Sequence, residues 1–95
     1  MYGISEKVYI KLIDYFKRND NIKKAILFGS RAKGNFKLNS DIDLCIDCSE
    51  NYKGTIKEDI EDIIGVYSCD LVFMDSLNEE IEKQVNRYGI CIYNE

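Results

Sequence analysis

Histidine and proline are both missing from this 95-residue sequence. Without an imidazole there is no Ser–His–Asp or Cys–His nucleophile system. There is also no imidazole ligand for zinc, and no side chain whose ordinary titration falls near neutrality. Chemistry must then come from carboxylates, hydroxyls, backbone amides, Lys, Arg, Cys or a bound metal. Without proline, no Pro-rich linker divides the chain. Long apolar runs are lacking too: the longest are short, such as Ala25 to Phe28, against the ~18 residues that a membrane span needs. The opening MYGISEKVYIKL has no apolar core of a secretory signal. A cytoplasmic protein without membrane contact is therefore expected.

What is present is an ordinary globular composition, with 45% hydrophobic and 32% charged residues. A chain of this length buries roughly 60–65% of its unfolded surface, enough for one core, so residues 1–95 are read as one domain. The net charge of −4 argues against stable nucleic-acid binding over the whole surface. The charge is uneven, however. Lys17, Arg18, Lys23, Lys24, Arg31, Lys33 and Lys37 face Asp20 alone in their stretch, while the remainder is strongly acidic. Such a stretch suits either a local phosphate site or solvated lysines on a helix and loop.

Helical and strand signals alternate. Ser5 to Arg18 sets Val8, Leu12, Ile13 and Phe16 on one face, with Ser5 as N-cap. Lys24 to Phe28 reads as a buried strand and Ser30 to Gly34 as a short helix, followed by a polar loop to Ser40. Asp41 to Cys48 alternates polar and apolar residues, as a strand with one buried face does. Thr55 to Ile64 repeats isoleucine at helical spacing; its acidic face, with Glu58, Asp59, Glu61 and Asp62, is expected in solvent. Cys69 to Asp75 is a second buried strand. Ser76-Leu77-Asn78-Glu79 reads as a capping box opening a helix that ends at Gly89, a left-handed stop, before a last strand from Ile90 to Tyr93. The resulting α/β (α+β) order predicts a small mixed sheet covered by helices.

The informative stretch is Gly29-Ser30-Arg31-Ala32-Lys33-Gly34 followed by Ser40-Asp41-Ile42-Asp43-Leu44. Gly29 allows backbone to approach a phosphate without a Cβ in the way, and a helix start offers free N–H groups to an anion. Ser30 adds a hydroxyl. Asp41 and Asp43, two apart on a strand, share a face, while Ile42 and Leu44 turn to the core. Asp70 opens the next buried strand. Were that strand adjacent, three carboxylates would converge below the turn, an oxygen donor set suited to Mg²⁺ or Mn²⁺ and to two-metal displacement at phosphate. Arg31 and Lys33 bring cations to the same turn, where phosphate contact and solvation are both open to them. Asp47 continues the Asp41–Asp43 face and is expected to be exposed. Asp75 falls on the other face, at a helix entry.

Gly29-Ser30, ten residues, then Asp41-Ile42-Asp43 resembles the signature of the minimal nucleotidyltransferases of the DNA polymerase β-like superfamily. The likeness covers nearly the whole chain. It implies the polymerase β-like fold and transfer of a nucleoside monophosphate from a nucleoside triphosphate, with ATP as substrate and two Mg²⁺ (or Mn²⁺) ions as cofactors. Matched position by position, Gly29, Ser30 and Arg31 hold the nucleotide. Asp41, Asp43 and Asp70 are catalytic residues and metal ligands, with Asp70 also the general base. Members of this size pair with a small helical HEPN-type protein as toxin and antitoxin, and the nucleotidyltransferase moves AMP onto a tyrosine of the toxin. The resemblance implies that partner here. Homo-oligomerisation, the identity of the triphosphate and the acceptor stay open.

Two other functions compete: a non-catalytic module that neutralises or scaffolds a helical partner, and transfer onto a small molecule. Retention of three mutually repelling acids argues against the first, and the lack of an acceptor-binding domain against the second. The four cysteines include Cys45-Ile46-Asp47-Cys48, but on a strand that spacing sends the two thiols to opposite faces. Packed, reduced thiols are expected rather than a zinc site.

Overall fold

The computed structural model describes residues 1–95. Four helices and four strands alternate: α1 (Glu6–Arg18), β1 (Ile22–Phe28), α2 (Gly29–Lys33), β2 (Ile42–Cys48), α3 (Lys53–Ile64), β3 (Cys69–Phe73), α4 (Glu79–Tyr88) and β4 (Ile90–Asn94). Short 3₁₀ turns at Glu50–Tyr52 and Met74–Ser76 precede α3 and α4. The strands form one sheet in the order β3-β2-β1-β4. β1 pairs antiparallel with β2 and β4, while β2 and β3 run parallel, so the expected mixed sheet is present. A parallel pair needs a crossover, and α3 provides it. No helix is long and apolar enough to cross a membrane.

Period two divides the sheet into two faces. Ala25 and Leu27 of β1, with Ile42, Leu44 and Ile46 of β2, pack against Leu12 and Phe16 of α1 and Ile56, Ile60 and Ile64 of α3. Every one of these side chains is essentially fully buried. This is the main core, and the helical spacing of the isoleucines in α3 places it there. On the opposite face Phe28 and Cys45 meet Val85 of α4, with Ile26, Val72, Met74 and Ile81 around them. That face is only partly covered, and it carries the polar alternates of β2.

Caps account for several element ends. Ser5 Oγ accepts the Val8 amide at 3.3 Å, as expected for α1. At α4 the expected Ser76 capping box does not form. Ser76 instead donates weakly to the Phe73 carbonyl within the 3₁₀ turn, and Asn78 Oδ1 accepts the Ile81 amide at 2.8 Å. Asn caps as well as Ser, and the shift leaves Glu79, Glu80 and Glu82 in the first turn, where the helix dipole favours them. Gly89 is not a left-handed stop either. Its backbone is extended (φ −62°, ψ 139°) and leads directly into β4. Glycine is needed there for closeness, since a Cβ would run into the Val85 carbonyl and come within 2.7 Å of Ile26.

Asp59 and Asp47 depart from expectation, whereas Asp75 stands at the entry to α4 as expected and makes a further contact. Asp59, on the acidic side of α3, is not simply solvated: it accepts the Tyr15 hydroxyl at 2.8 Å and so ties α3 to α1. Burial, reinforced by that bond, pushes the Tyr15 phenol up to about 12. Asp75 is held by Lys53 Nζ at 2.7 Å, and the same ammonium lies over the Phe73 ring, linking the start of α3 to the end of β3. Asp47 is half-buried rather than exposed, on a central strand and opposite Lys24 in the β1–β2 register.

Gly54 lies in the first turn of α3, with nothing within 4 Å of a would-be Cβ. Gly54→Ala should therefore raise stability by about 0.5–1 kcal/mol through propensity and unfolded-state entropy. Thermal or denaturant melting checks this; a lower melting temperature would contradict it.

Candidate active site

The site is built where β1 ends. Phe28 leaves the strand extended and Gly29 turns the chain with φ +73°, a left-handed conformation that L side chains rarely adopt. A second constraint acts on the same residue. Phe28 is the cross-strand partner of Asp43, so Gly29 sits against the Asp43 side chain, and a Cβ on Gly29 would collide with that carboxylate. The Ser30 carbonyl accepts the amides of Gly34 and Asn35 at 3.0 and 3.2 Å, which closes α2 into a single compact turn. Ser30 itself is half-buried beside Gly29.

β2 and β3 supply the acids. Their parallel register sets Asp43 opposite Asp70, and neighbouring strands lie only about 4.8 Å apart. The Ile42 amide donates to the Ser68 carbonyl at 2.8 Å and pins the entry of both strands. Asp41 sits one residue before β2 with an exposed side chain; Asp70 is exposed and Asp43 half-buried. Burial first, then the charges of Asp70 and Asp41, raise the Asp43 carboxyl from 3.8 to about 6, with Arg31 pulling the other way. The acids therefore share one electrostatic neighbourhood. They do not close into a three-ligand cluster, so the expected convergence is only partial. An all-oxygen, strongly anionic donor set of this kind fits Mg²⁺ or Mn²⁺.

Arg31 does something other than the expected nucleotide contact. It is 1% exposed, and its guanidinium donates to the carbonyls of Tyr2 (3.0 Å) and Ser40 (2.8 Å) between the rings of Phe36 and Tyr67. Its charge reaches the Asp43 carboxyl through space, without an ion pair. Lys33 is exposed, with its ammonium 4.8 Å from the centre of the Tyr88 ring. The inward turn of Arg31 and the Gly29–Asp43 contact were invisible to residue spacing, since both depend on partners distant in the chain. Of the two rings that flank Arg31, Phe36 is five positions away and Tyr67 is 36.

The site is open. The two grooves of the surface lie elsewhere: one of 260 Å³ along Tyr9, Ile10 and Ile13 of α1, the other of 340 Å³ between β1 and α4 at Ile26, Met74 and Val85. Neither includes Gly29, Ser30 or a site carboxylate. All four cysteines are free; burial raises the Cys45 thiol to about 11 and the Cys69 thiol to about 12.

Residues 10–95 match the family described as polymerase beta, nucleotidyltransferase. No curated protein matches the chain. Among solved structures, a toxin–antitoxin with AMP-PNP is 22% identical at a TM-score of 0.69, covering 96% of this chain and 74% of its own. A mutant of the toxin–antitoxin MntA–HpeT is 20% identical at a TM-score of 0.71, covering 92% and 73%. A tri-AMPylated HEPN toxin of Shewanella oneidensis in complex with MNT antitoxin is 17% identical at a TM-score of 0.66, covering 100% and 74%. At these identities the likeness is one of fold.

Two predictions follow from the crowding of Gly29 and the acids. Gly29→Ala combines a left-handed backbone with a collision and should cost about 2–4 kcal/mol of stability, measurable by urea unfolding; an unchanged midpoint would refute the contact. The native Asp43 carboxyl titrates above its unfolded value, so the folded chain holds that proton more tightly. The associated stabilisation is complete below about pH 4 and is lost as pH rises through about 6. In chelator, Asp43→Asn should remove about 1–2 kcal/mol of this pH dependence, after allowance for solvent screening of a half-buried group. It should also melt no lower than wild type near neutrality. A clearly lower melting temperature would show that ionised Asp43 holds the fold together.

Proposed function

The chain belongs to the polymerase beta nucleotidyltransferase family, and on that premise we propose that it transfers AMP from ATP to a hydroxyl, a tyrosine's, of a small helical HEPN-type partner, as the antitoxin of a toxin–antitoxin pair. The observation that carries this reading is the register that sets Asp43 beside Asp70 next to the Gly29 turn. A pure binding surface gains nothing from packing acids that repel. The AMPylated HEPN toxin bound to an MNT antitoxin, among the neighbours of similar fold, supports the choice of acceptor. The exposure of Asp41 and Asp70 supports it too, since it leaves the acids within reach of a second protein.

In this reading Gly29 lets the triphosphate approach the backbone, and its phosphate oxygens accept from backbone amides of the turn and from the Ser30 hydroxyl. Asp41, Asp43 and Asp70 hold the divalent cations. Bound there, Mg²⁺ or Mn²⁺ offsets the carboxylate and phosphate charges and makes the α-phosphorus more electrophilic. Asp70, the exposed member of the cross-strand pair, accepts the proton of the attacking hydroxyl at a carboxylate oxygen. The acceptor oxygen forms its bond to the α-phosphorus as the bond to the leaving pyrophosphate breaks. Docking of the partner holds nucleophile and phosphorus in line, which converts an encounter into an oriented step worth several kcal/mol of barrier.

Incubation with ATP, Mg²⁺ and the cognate partner, followed by mass spectrometry, tests the proposal. An adenylyl adduct on a partner tyrosine is expected, with free tyrosine a poor acceptor. Asp41→Asn and Asp43→Asn should each reduce the adduct by about 10³-fold or more. Equal labelling by both variants would overturn the assignment of the acids, and a tight complex with no added mass would favour the non-catalytic module.

A further inference from the structure

Arg31 is the only charged residue in the buried set, at 1% exposure. No carboxylate lies within ion-pair distance of it. Its Nη1 donates to the Tyr2 carbonyl at 3.0 Å, and its Nη2 to the Ser40 carbonyl at 2.8 Å and, at 3.5 Å, to that of Leu38. Phe36 and Tyr67 each place a ring 5.3 Å from the guanidinium carbon. The Nε is buried without a partner. Taking an ion out of water costs several kcal/mol. Carbonyls and ring faces return part of this, but an apolar side chain would fill the same space with no such cost. A buried, incompletely satisfied cation at this point calls for another benefit.

Its connections indicate what that benefit is. Arg31 directly follows Ser30, and Ser40, whose carbonyl it holds, directly precedes Asp41. The loop behind Ser40 is itself closed: Ser40 Oγ accepts the Lys37 amide at 2.8 Å, and the Ser40 amide donates to the Lys37 carbonyl at 3.0 Å. The N-terminal turn is shaped to meet the same guanidinium. Tyr2 and Gly3 both have positive φ, 54° and 72°. A Cβ on Gly3 would strike Phe36 and come within 2.8 Å of Arg31 Nη1.

We propose that Arg31 is a positioning residue of the transfer site, a buried cation that fastens the N-terminal turn and the loop of residues 36–40 to α2 and thereby fixes Asp41 relative to Gly29 and Ser30. Residues 2 and 3, far from the signature in sequence, then belong to the support of the site. The inference rests on the nucleotidyl-transfer reading, and the experiment separates the two.

Arg31→Lys, Arg31→Met and Gly3→Ala are compared with wild type in ATP-dependent labelling of the partner and in amide hydrogen exchange of the free chain. A displaced ligand should lower kcat of Arg31→Met and Gly3→Ala by about 10–100-fold, with KM for ATP changed by less than about threefold because nothing that touches nucleotide is removed. Arg31→Lys, which keeps the charge and can donate to carbonyls, should recover at least part of the loss. A rise in KM at unchanged kcat would overturn the proposal in favour of direct nucleotide contact, and wild-type kinetics in folded variants would overturn it outright. Should Arg31→Met fail to fold, Arg31→Lys and Gly3→Ala carry the test. Should wild type transfer nothing, the transfer reading fails, and exchange decides the inference by itself. Faster exchange at Lys37, Ser40 and Ile42 in Gly3→Ala and in folded Arg31→Met, with a smaller increase in Arg31→Lys, supports the fastening role; exchange unchanged in Gly3→Ala refutes it.

Discussion

The parallel register of β2 and β3 forces Asp43 and Asp70 side by side on the open face of the sheet, and the surrounding structure is organised around that unfavourable pairing. The alternates of β2, Ile42, Leu44 and Ile46, are fully buried against α1 and α3. Sliding β2 by one residue to separate the acids would turn that whole set to solvent. Burying each such side chain is worth about 1.5–3 kcal/mol, several times the repulsion between partly solvated carboxylates. The core therefore imposes the charge cluster, and a cation, a proton on Asp43 or outward swing of the exposed acids relieves it.

Gly29 is the counterpart on the neighbouring strand. Because Phe28 faces Asp43 in the β1–β2 register, the turn after β1 has to pass close to a carboxylate, and any side chain at position 29 would occupy the space of that carboxylate. One residue thus meets two constraints at once, the left-handed turn after β1 and the crowding by the Asp43 carboxylate.

Arg31 shows how a cation can serve an anionic site without touching it. Its guanidinium is spent on backbone carbonyls and ring faces, and its charge still acts on the Asp43 carboxyl, against the effect of burial. Buried charges interact through a medium less polarisable than water, so this arrangement needs no direct contact to matter.

Much of the fold was legible along the chain. Helical spacing of Leu12 and Phe16 in α1, and of Ile56, Ile60 and Ile64 in α3, marked the faces that became the core. The alternation from Asp41 to Cys48 marked a strand with its acids on one side. The Gly29-Ser30 to Asp41-Asp43 spacing marked the candidate site. These are local signals, set by the 3.6- and 2-residue periods of the backbone. Where two local solutions were nearly equal in energy, as for Ser76 against Asn78 at the start of α4, or for Gly89 as stop against close neighbour, the tertiary contacts chose. Strand adjacency was of the same kind. That Asp70 stands beside Asp43, that Asp59 binds Tyr15, and that Arg31 turns inward onto Tyr2, Ser40 and Tyr67 all depend on pairs of residues remote in sequence. The sequence by itself determined the elements and their polar and apolar faces. The packing of those faces decided which charges meet, because burial energy summed over many side chains outweighs any single electrostatic preference.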